Sequence, residues 1–105
     1  MKLTKTQHGE IIEVLNAQNR TAEEFSFIKR KGRINIIESD SARSFSYFKK
    51  KSAGINPTTQ RLENYEHYLV SFDSQKEYSV SEWDAMIIEF KKWLISLKNW
   101  YYSFN

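Results

Sequence analysis

The sequence predicts a two-layer α+β domain, in which an antiparallel four- to five-stranded meander sheet packs against a long C-terminal helix and a shorter N-terminal helix. Apolar residues recur at helical spacing near both ends of the chain, whereas they alternate with polar residues in the middle. No internal repeat divides the sequence. All 105 residues are predicted to form a single domain, residues 1–105, because domains commonly contain about 100–150 residues.

The first helix is predicted from Thr4 to about Asn19. Thr4 and Gln7 have the spacing of a capping box, in which the two side chains satisfy backbone groups at the start of a helix. Gly9 weakens the first turns, because an interior glycine costs about 1 kcal/mol relative to alanine. We therefore expect the ordered part of the helix to begin near Glu10. The apolar residues at helical spacing are Ile11, Ile12, Val14 and Leu15.

After this helix the hydrophobic period changes to two, which predicts two strands joined at Lys31-Gly32 as a hairpin. The glycine supplies the positive φ that a tight turn requires. Two registers are compatible with the sequence. A two-residue loop would place Phe27 beside Ile36, whereas a bulged three-residue loop would place Ile28 beside Ile34.

A third strand is predicted from Arg43 to Lys49, where aromatic residues alternate with polar ones. The segment from Lys50 to Asn64 contains the single proline together with glycine and small polar residues. It is therefore predicted to be the longest loop and the most flexible part of the chain. A fourth strand is predicted from Tyr65 to Phe72, and a short fifth strand from Glu77 to Val80.

The long C-terminal helix is predicted from Ser81 to Asn105, with no glycine or proline between them. Ser81 and Asp84 have the spacing of a capping box. One broad face of the helix is apolar and is expected to cover the sheet. The residues of that face are Trp83, Met86, Ile87, Phe90, Trp93, Leu94, Leu97, Trp100, Tyr101 and Phe104.

A second apolar line on this helix predicts an interface. Ile88, Ile95 and Tyr102 step by seven residues away from the main stripe and are flanked by lysines. The first helix, a second copy of the chain or a partner protein must cover them. Trp100 and Tyr102 also belong to an aromatic chain end, and Trp and Tyr are enriched at interface hot spots. Ile88, Ile95, Trp100 and Tyr102 are therefore the candidate interface residues, for a protein partner or a homodimer.

The net charge of +3 is concentrated in residues 23–51, which carry eight basic residues against four acidic ones. Such a cluster can contact phosphates, and neighbouring aromatic residues can stack on bases. The opposing interpretation is that the cations solvate the sheet and that the aromatic residues form the core. The candidate nucleic-acid contacts are Lys29, Arg30, Lys31, Arg33, Lys49, Lys50 and Lys51, with Phe25, Phe45, Tyr47 or Phe48 as candidate stacking residues.

Motifs for catalysis are missing from the sequence, which predicts neither enzyme activity nor a cofactor. The absence of cysteine excludes disulfides and thiolate metal sites. His8 and His67 have no metal-ligand spacing, and the three glycines do not form a phosphate-binding loop. No apolar run approaches the roughly 18 residues of a membrane span, and the first residues have no secretory apolar core. A cytoplasmic protein with no membrane partner is expected.

The C-terminal helix follows the pattern of tryptophan, two apolar residues, phenylalanine, Trp-Leu and Leu-Lys. The residues that carry the pattern are Trp83, Met86, Ile87, Phe90, Trp93, Leu94, Leu97 and Lys98. With the strand 68–72 before it, the segment from Phe45 to Trp100 resembles small accessory or recognition domains of bacterial anti-phage conflict proteins. The chain departs from that pattern at residues 73–75, where a Pro-Gly turn is common, and after the helix, where an acidic residue and a tryptophan are common. The resemblance covers about half the chain and implies no active-site residues.

These observations together predict a non-catalytic protein interaction or recognition module, as an accessory part of a bacterial or phage conflict system. The alternative prediction is a small nucleic-acid-binding protein that uses the basic hairpin and an aromatic sheet face. The salt dependence of any bound nucleic acid would distinguish the two, because phosphate contacts weaken steeply as salt rises.

Overall fold

A computed structural model describes residues 4–73 and 75–102, with side chains up to residue 99. The strands of this part of the chain form one antiparallel meander in the order β1-β2-β3-β4-β5, and two α-helices accompany them. The predicted α+β class is confirmed. The elements are α1 (Lys5–Ala17), a 3-10 turn (Ala22–Glu24), β1 (Phe25–Arg30), β2 (Arg33–Glu38), β3 (Ser44–Ile55), β4 (Leu62–Phe72), β5 (Lys76–Val80) and α2 (Trp83–Tyr102).

Helix α1 begins with the predicted capping box. The Gln7 backbone N–H donates to the Thr4 hydroxyl at 3.1 Å, and the Thr4 N–H donates to the Gln7 side chain at 3.2 Å. The helix runs from Lys5 straight through Gly9, so the expected later start near Glu10 is wrong. Because the box satisfies donors that are otherwise orphaned at a helix start, it offsets the cost of the glycine.

The β1–β2 hairpin has the two-residue loop. Arg30 pairs with Arg33 and Phe27 pairs with Ile36, which selects the first of the two registers allowed by the sequence. Gly32 has φ of +73°, a conformation that side chains larger than hydrogen adopt only at a cost.

The prediction of a flexible loop from Lys50 to Asn64 is wrong, because most of this segment belongs to two long paired strands. Strand β3 continues to Ile55 and β4 begins at Leu62, so only residues 56–61 connect them. Pairing of β3 with β2 ends at Phe48, and pairing of β4 with β5 ends at Tyr68. Residues 49–67 are therefore a two-stranded extension of the sheet, called the β3–β4 arm below.

Helix α2 covers one face of the sheet. It begins at Trp83, and the Glu82 carbonyl accepts from the Met86 N–H at 3.2 Å, so Glu82 occupies the N-cap position predicted for Ser81. The ring of Phe45 contacts the rings of both Phe90 and Trp93. The side chains of α2 that are buried against the sheet are Met86, Phe90, Trp93, Leu94 and Leu97. Within residues 4–73 and 75–102, no helix has both the length and the apolar character needed to cross a membrane.

Helix α1 lies beside α2 on the same face. The Trp83 indole N–H donates to the Glu10 carboxylate, and the His8 ring meets the Phe27 ring with centroids 6.1 Å apart. Ile11, Val14 and Leu15 of α1 are buried in the common core. Both helices therefore form one layer and the sheet forms the other, as the sequence predicts.

A buried carboxylate closes the end of β2. Glu38 has no exposed surface, accepts from the Arg20 guanidinium and accepts from the Ser41 hydroxyl at 2.6 Å. Arg20 also donates to Glu24 at 2.9 Å, and its guanidinium lies 4.9 Å from the centre of the Phe25 ring. This cluster joins the segment after α1 to the first two strands.

A second polar cluster joins β3 to the β4–β5 turn and to α2. Arg43 donates to Asp73 at 2.7 Å and to the Ser96 hydroxyl at 3.3 Å. The Ser44 N–H donates to the other Asp73 oxygen at 2.9 Å. Burial raises the pKa of Asp73, but the hydrogen bonds from Arg43 and Ser44 outweigh it and hold that pKa below its ordinary value.

Candidate interaction surfaces

Two isoleucines of α2 face away from the core. The side chains of Ile88 and Ile95 are 55% and 46% exposed, although their helix buries an apolar stripe elsewhere. Helix α1 does not cover them, because its own apolar residues are buried in the common core. We call the face that carries Ile88 and Ile95 the α2 outer face. Its other residues are Asp84, Lys91, Lys92 and Lys98, all exposed.

The other two predicted interface residues lie at the end of the same helix. Trp100 and Tyr102 belong to the backbone of α2, but their side chains lie outside the described part of the chain.

The α2 outer face has a near two-fold symmetric pattern about Lys91. Ile88 and Ile95 lie three and four residues from it, and Asp84 and Lys98 lie seven residues before and after it. Residues that are seven apart on a helix lie on nearly the same side, because seven residues make almost two turns. An acidic residue therefore stands at one end of the apolar pair and a basic residue at the other.

The predicted basic residues gather at one end of the sheet. The Lys49 N–H donates to the Gly32 carbonyl at 2.8 Å, which places the hairpin tip beside β3. The predicted cations Lys29, Arg30, Lys31, Arg33, Lys49, Lys50 and Lys51 are all exposed there.

These cations do not share one surface, because the register divides them between the two faces of the sheet. Arg30, Arg33 and Lys50 lie on the face without helices, whereas the side chains of Lys29, Lys49 and Lys51 project to the other face. Sequence reasoning could not make this division, since a shift by one residue would exchange the two groups.

Acidic neighbours neutralise part of this charge. Lys49 pairs with Glu66 and Lys50 with Glu77, both at 3.4 Å. By contrast, the acidic side chains in the described part of the chain form no ion pair with Arg30 or Arg33.

The four aromatic residues suggested for base stacking are buried instead. Phe25, Phe45 and Tyr47 belong to the core beneath α2. Phe48 lies on the helix-free face but is only 6% exposed, with the Arg33 guanidinium 4.3 Å from the centre of its ring. Since none of these rings can reach a base, the aromatic sheet face of the alternative prediction is a core face.

A serine and a histidine meet on the β3–β4 arm. Ser52 Oγ lies 2.8 Å from His67 Nε2, and the ring of Tyr65 lies 5.3 Å from the His67 ring. The register places His67 opposite Lys50 and Glu66 opposite Lys51, so His67 and Glu66 point to opposite faces, as predicted. In the described residues, no group of three His, Cys, Asp or Glu side chains could hold a metal ion. The Ser52–His67 contact joins the two strands of the arm.

The tip of the arm carries a second exposed apolar pair. Ile55 and Leu62 are cross-strand neighbours, 66% and 83% exposed. The sequence did not indicate this pair, because it was expected to fall in a loop. It provides a control surface for experiments on the α2 outer face.

No protein-family model, curated protein or solved structure matches this chain.

Proposed function

We propose that this protein is a non-catalytic interaction module that pairs with a second copy of itself through the α2 outer face. The observation that carries the proposal is the exposure of Ile88 and Ile95, two turns apart, between an acidic and a basic residue. A two-fold symmetric contact brings the same surface of both copies together, so this surface must complement itself.

Antiparallel packing of two α2 helices supplies that complementarity. When the two-fold axis passes beside Lys91, Ile88 of one copy meets Ile95 of the other. In the same arrangement Asp84 meets Lys98 of the second copy, at both ends of the contact. Opposite charges thus flank a small apolar centre, which is the usual division of an interface into core and rim.

Lysines near the axis limit the strength of this contact. Lys91 of the two copies would approach each other, whereas Lys92 is held at 3.1 Å from Glu89 of its own helix. A lysine can direct its charge to solvent and leave its aliphatic chain on the apolar centre. The arrangement therefore predicts weak pairing rather than a permanent dimer.

The apolar area sets the expected affinity. Full burial of an isoleucine is worth about 1.5–3 kcal/mol, and Ile88 and Ile95 are already about half-buried in each copy. The four side chains therefore contribute about 3–6 kcal/mol, and the Asp84–Lys98 contacts add to this. Bringing two molecules together costs at least about 4 kcal/mol, which offsets most of this gain, so we expect weak pairing with a Kd in the millimolar range.

Sedimentation velocity over a concentration range up to about 1 mM tests this pairing. The parent should move from monomer to dimer, and the double variant Ile88→Glu with Ile95→Glu should stay monomeric and folded. The matched control is Ile55→Glu with Leu62→Glu, which makes the same change on the arm and should still dimerise. A parent that remains monomeric, or a control that loses the dimer equally, would contradict the proposal.

We propose further that this module is an accessory part of a bacterial or phage conflict system. The support is the resemblance of residues 45–100 to recognition domains of such proteins. Deleting the gene in its host should then change the plating efficiency of infecting phages by about tenfold or more. Equal plating with and without the gene would refute this assignment and leave the dimer unaffected.

A further inference from the structure

Two arginines of the helix-free sheet face repel each other. Arg30 and Arg33 are the closing pair of the β1–β2 hairpin, directly opposite each other and on the same face. Both are exposed, and neither forms an ion pair with an acidic side chain of the described chain. Like charges at directly opposite positions destabilise a strand pair. An anion bound between them would remove that repulsion.

The guanidinium of Arg33 is already oriented for such an anion. It lies over the Phe48 ring, 4.3 Å from the ring centre, and this contact restricts its rotation. A guanidinium presents its donors in a fixed plane that matches phosphate oxygens, and orientation before binding reduces the entropy lost. Stacking on Phe48 therefore suits Arg33 to directional hydrogen bonds with phosphate oxygens, in addition to simple charge attraction.

The same face continues from these arginines onto the β3–β4 arm. Lys50, which pairs with Glu77, follows Phe48 on this face, and Tyr65 lies two positions farther along β4 from His67. From strand spacings, Lys50 lies about 8 Å and Tyr65 about 16 Å from Arg33, measured between Cα atoms of a flat sheet. The Tyr65 side chain is partly exposed. Along this direction the face therefore presents positive charge first, at the two arginines, and then the aromatic ring of Tyr65.

We propose that the helix-free face binds single-stranded nucleic acid, with a phosphate between Arg30 and Arg33 and a base on Tyr65. A combination of cations along the backbone and aromatic rings beneath the bases is the general mode of single-strand binding. The site lies on the opposite side of the sheet from α2, so it is independent of the proposed dimer.

Duplex binding is disfavoured by the charge of the arm. The arm is the element that extends beyond the sheet, and a two-stranded ribbon can enter a major groove. However, the outer part of the arm, residues 51–66, carries two basic and two acidic residues, and the exposed Ile55 and Leu62 lie at its tip. At the base of the arm, Lys49 and Lys50 each pair with an acidic side chain. A ribbon with so little unpaired positive charge has little attraction for the phosphates that line a groove.

Fluorescence polarisation with labelled 12-mers of deoxythymidine and of uridine, and with a 12-base-pair duplex, tests this site at 20–200 mM salt. Arg30→Gln with Arg33→Gln should weaken single-strand binding by about tenfold. It should also lower the slope of log K against log salt by about 0.7, since the two arginines share one phosphate and each lost phosphate contact in a single strand contributes about 0.7. Tyr65→Ala should weaken binding without changing the slope.

Lys29→Gln with Lys51→Gln is the matched control. It removes the same charge from the other face of the sheet and should weaken binding less than threefold. Because Arg33 also packs on Phe48, the single variant Arg30→Gln provides a second test in which the Arg33–Phe48 contact is kept. Thermal melting checks the folding of each variant.

The proposal is overturned by an absence of binding at 20 mM salt, or by equal losses in the two double variants. Tighter binding of the duplex would contradict the single-strand mode. If poly-L-glutamate displaces the 12-mers as well as unlabelled oligonucleotide does, the face recognises acidic polymers in general and the nucleic-acid assignment fails. Binding of both 12-mers supports recognition of the shared phosphodiester backbone, and binding of only one shows that the sugar or the base methyl group is a further determinant.

Discussion

Phe45 of β3 and Trp93 of α2 meet at the centre of the molecule, with their ring centroids 5.9 Å apart. Both side chains are almost completely buried. The Trp93 ring also contacts Phe25 and Phe90, at centroid distances of 6.0 Å each. One indole thus links α2 to two strands, and the packing of the helix layer on the sheet depends on it.

Trp93→Ala should therefore reduce the free energy of unfolding by about 3–5 kcal/mol, the usual cost of truncating a large buried aromatic residue. Urea denaturation followed by circular dichroism measures this loss. Lys92→Ala, at the adjacent exposed position, serves as the control and should change stability by less than about 0.5 kcal/mol. A Trp93→Ala protein that melts within a degree or two of the parent would show that the ring is not part of the core.

The buried Glu38 carboxylate should make Arg20 important for stability. Arg20→Met leaves a buried negative charge without its cation, which typically costs about 3–5 kcal/mol. The double variant Arg20→Met with Glu38→Gln removes that charge while an amide can still accept from Ser41. It should therefore be more stable than Arg20→Met alone in urea denaturation. A double variant as unstable as the single one would mean that the charge is not the source of the cost.

The lowered pKa of Asp73 predicts a loss of stability in acid. A group whose pKa is lower in the folded state stabilises the protein above its unfolded pKa, about 3.9 for aspartate. That contribution disappears as pH falls through the folded pKa. Asp73→Asn keeps the shape of the side chain, and asparagine tolerates the φ of +55° at this position.

Melting temperatures of parent and Asp73→Asn between pH 7 and pH 2 measure the effect. The parent should be the more stable protein at pH 7, and the difference should narrow below about pH 4. A difference that widens on acidification would have the opposite sign and would contradict the Arg43–Asp73 interaction.

The paired strands of the β3–β4 arm can be tested by limited proteolysis. Arg61 lies in the short connection between β3 and β4, whereas Lys49, Lys50 and Lys51 lie within β3. Trypsin requires an extended, unpaired segment, so it should cut first after Arg61. Mass spectrometry identifies the first cut. Earlier cleavage after residues 49–51 would support the flexible loop expected from sequence instead.

The arm also shows where sequence patterns stop being informative. Strand β2 buries every second residue, and in β1 and the first half of β3 apolar residues at every second position face the helices, so their hydrophobic period of two is visible in the sequence. The arm has polar residues on both faces and is joined by backbone pairing and contacts such as Ser52–His67. Without a buried face it has no hydrophobic period, and its proline and glycine then suggest a loop.

The two candidate surfaces also differ in how far the sequence alone predicts them. Ile88 and Ile95 were recognisable because their seven-residue step departs from the apolar stripe of α2. The Arg30–Arg33 pair was not distinguishable from the other cations around it, because its face depends on the register of a hairpin. On a helix, the spacing of residues in the sequence alone determines which face a residue lies on. In a sheet, the face also depends on the register with the partner strand.

Exchange of the charges at the ends of the α2 outer face tests the dimer most directly. Asp84 and Lys98 are 14 residues apart in one helix, about 21 Å, too far to interact within a copy. In the antiparallel dimer each meets the other across the two-fold axis. The variants are Asp84→Lys, Lys98→Asp and the double exchange, with folding of each checked by circular dichroism.

Sedimentation velocity on these variants gives the decisive Kd values. Each single exchange should weaken dimerisation by about fivefold or more, since like charges then face each other at both ends, and the double exchange should restore the parent Kd to within about twofold. Losses that simply add in the double variant, or a parent that stays monomeric at about 1 mM, would contradict pairing through the α2 outer face.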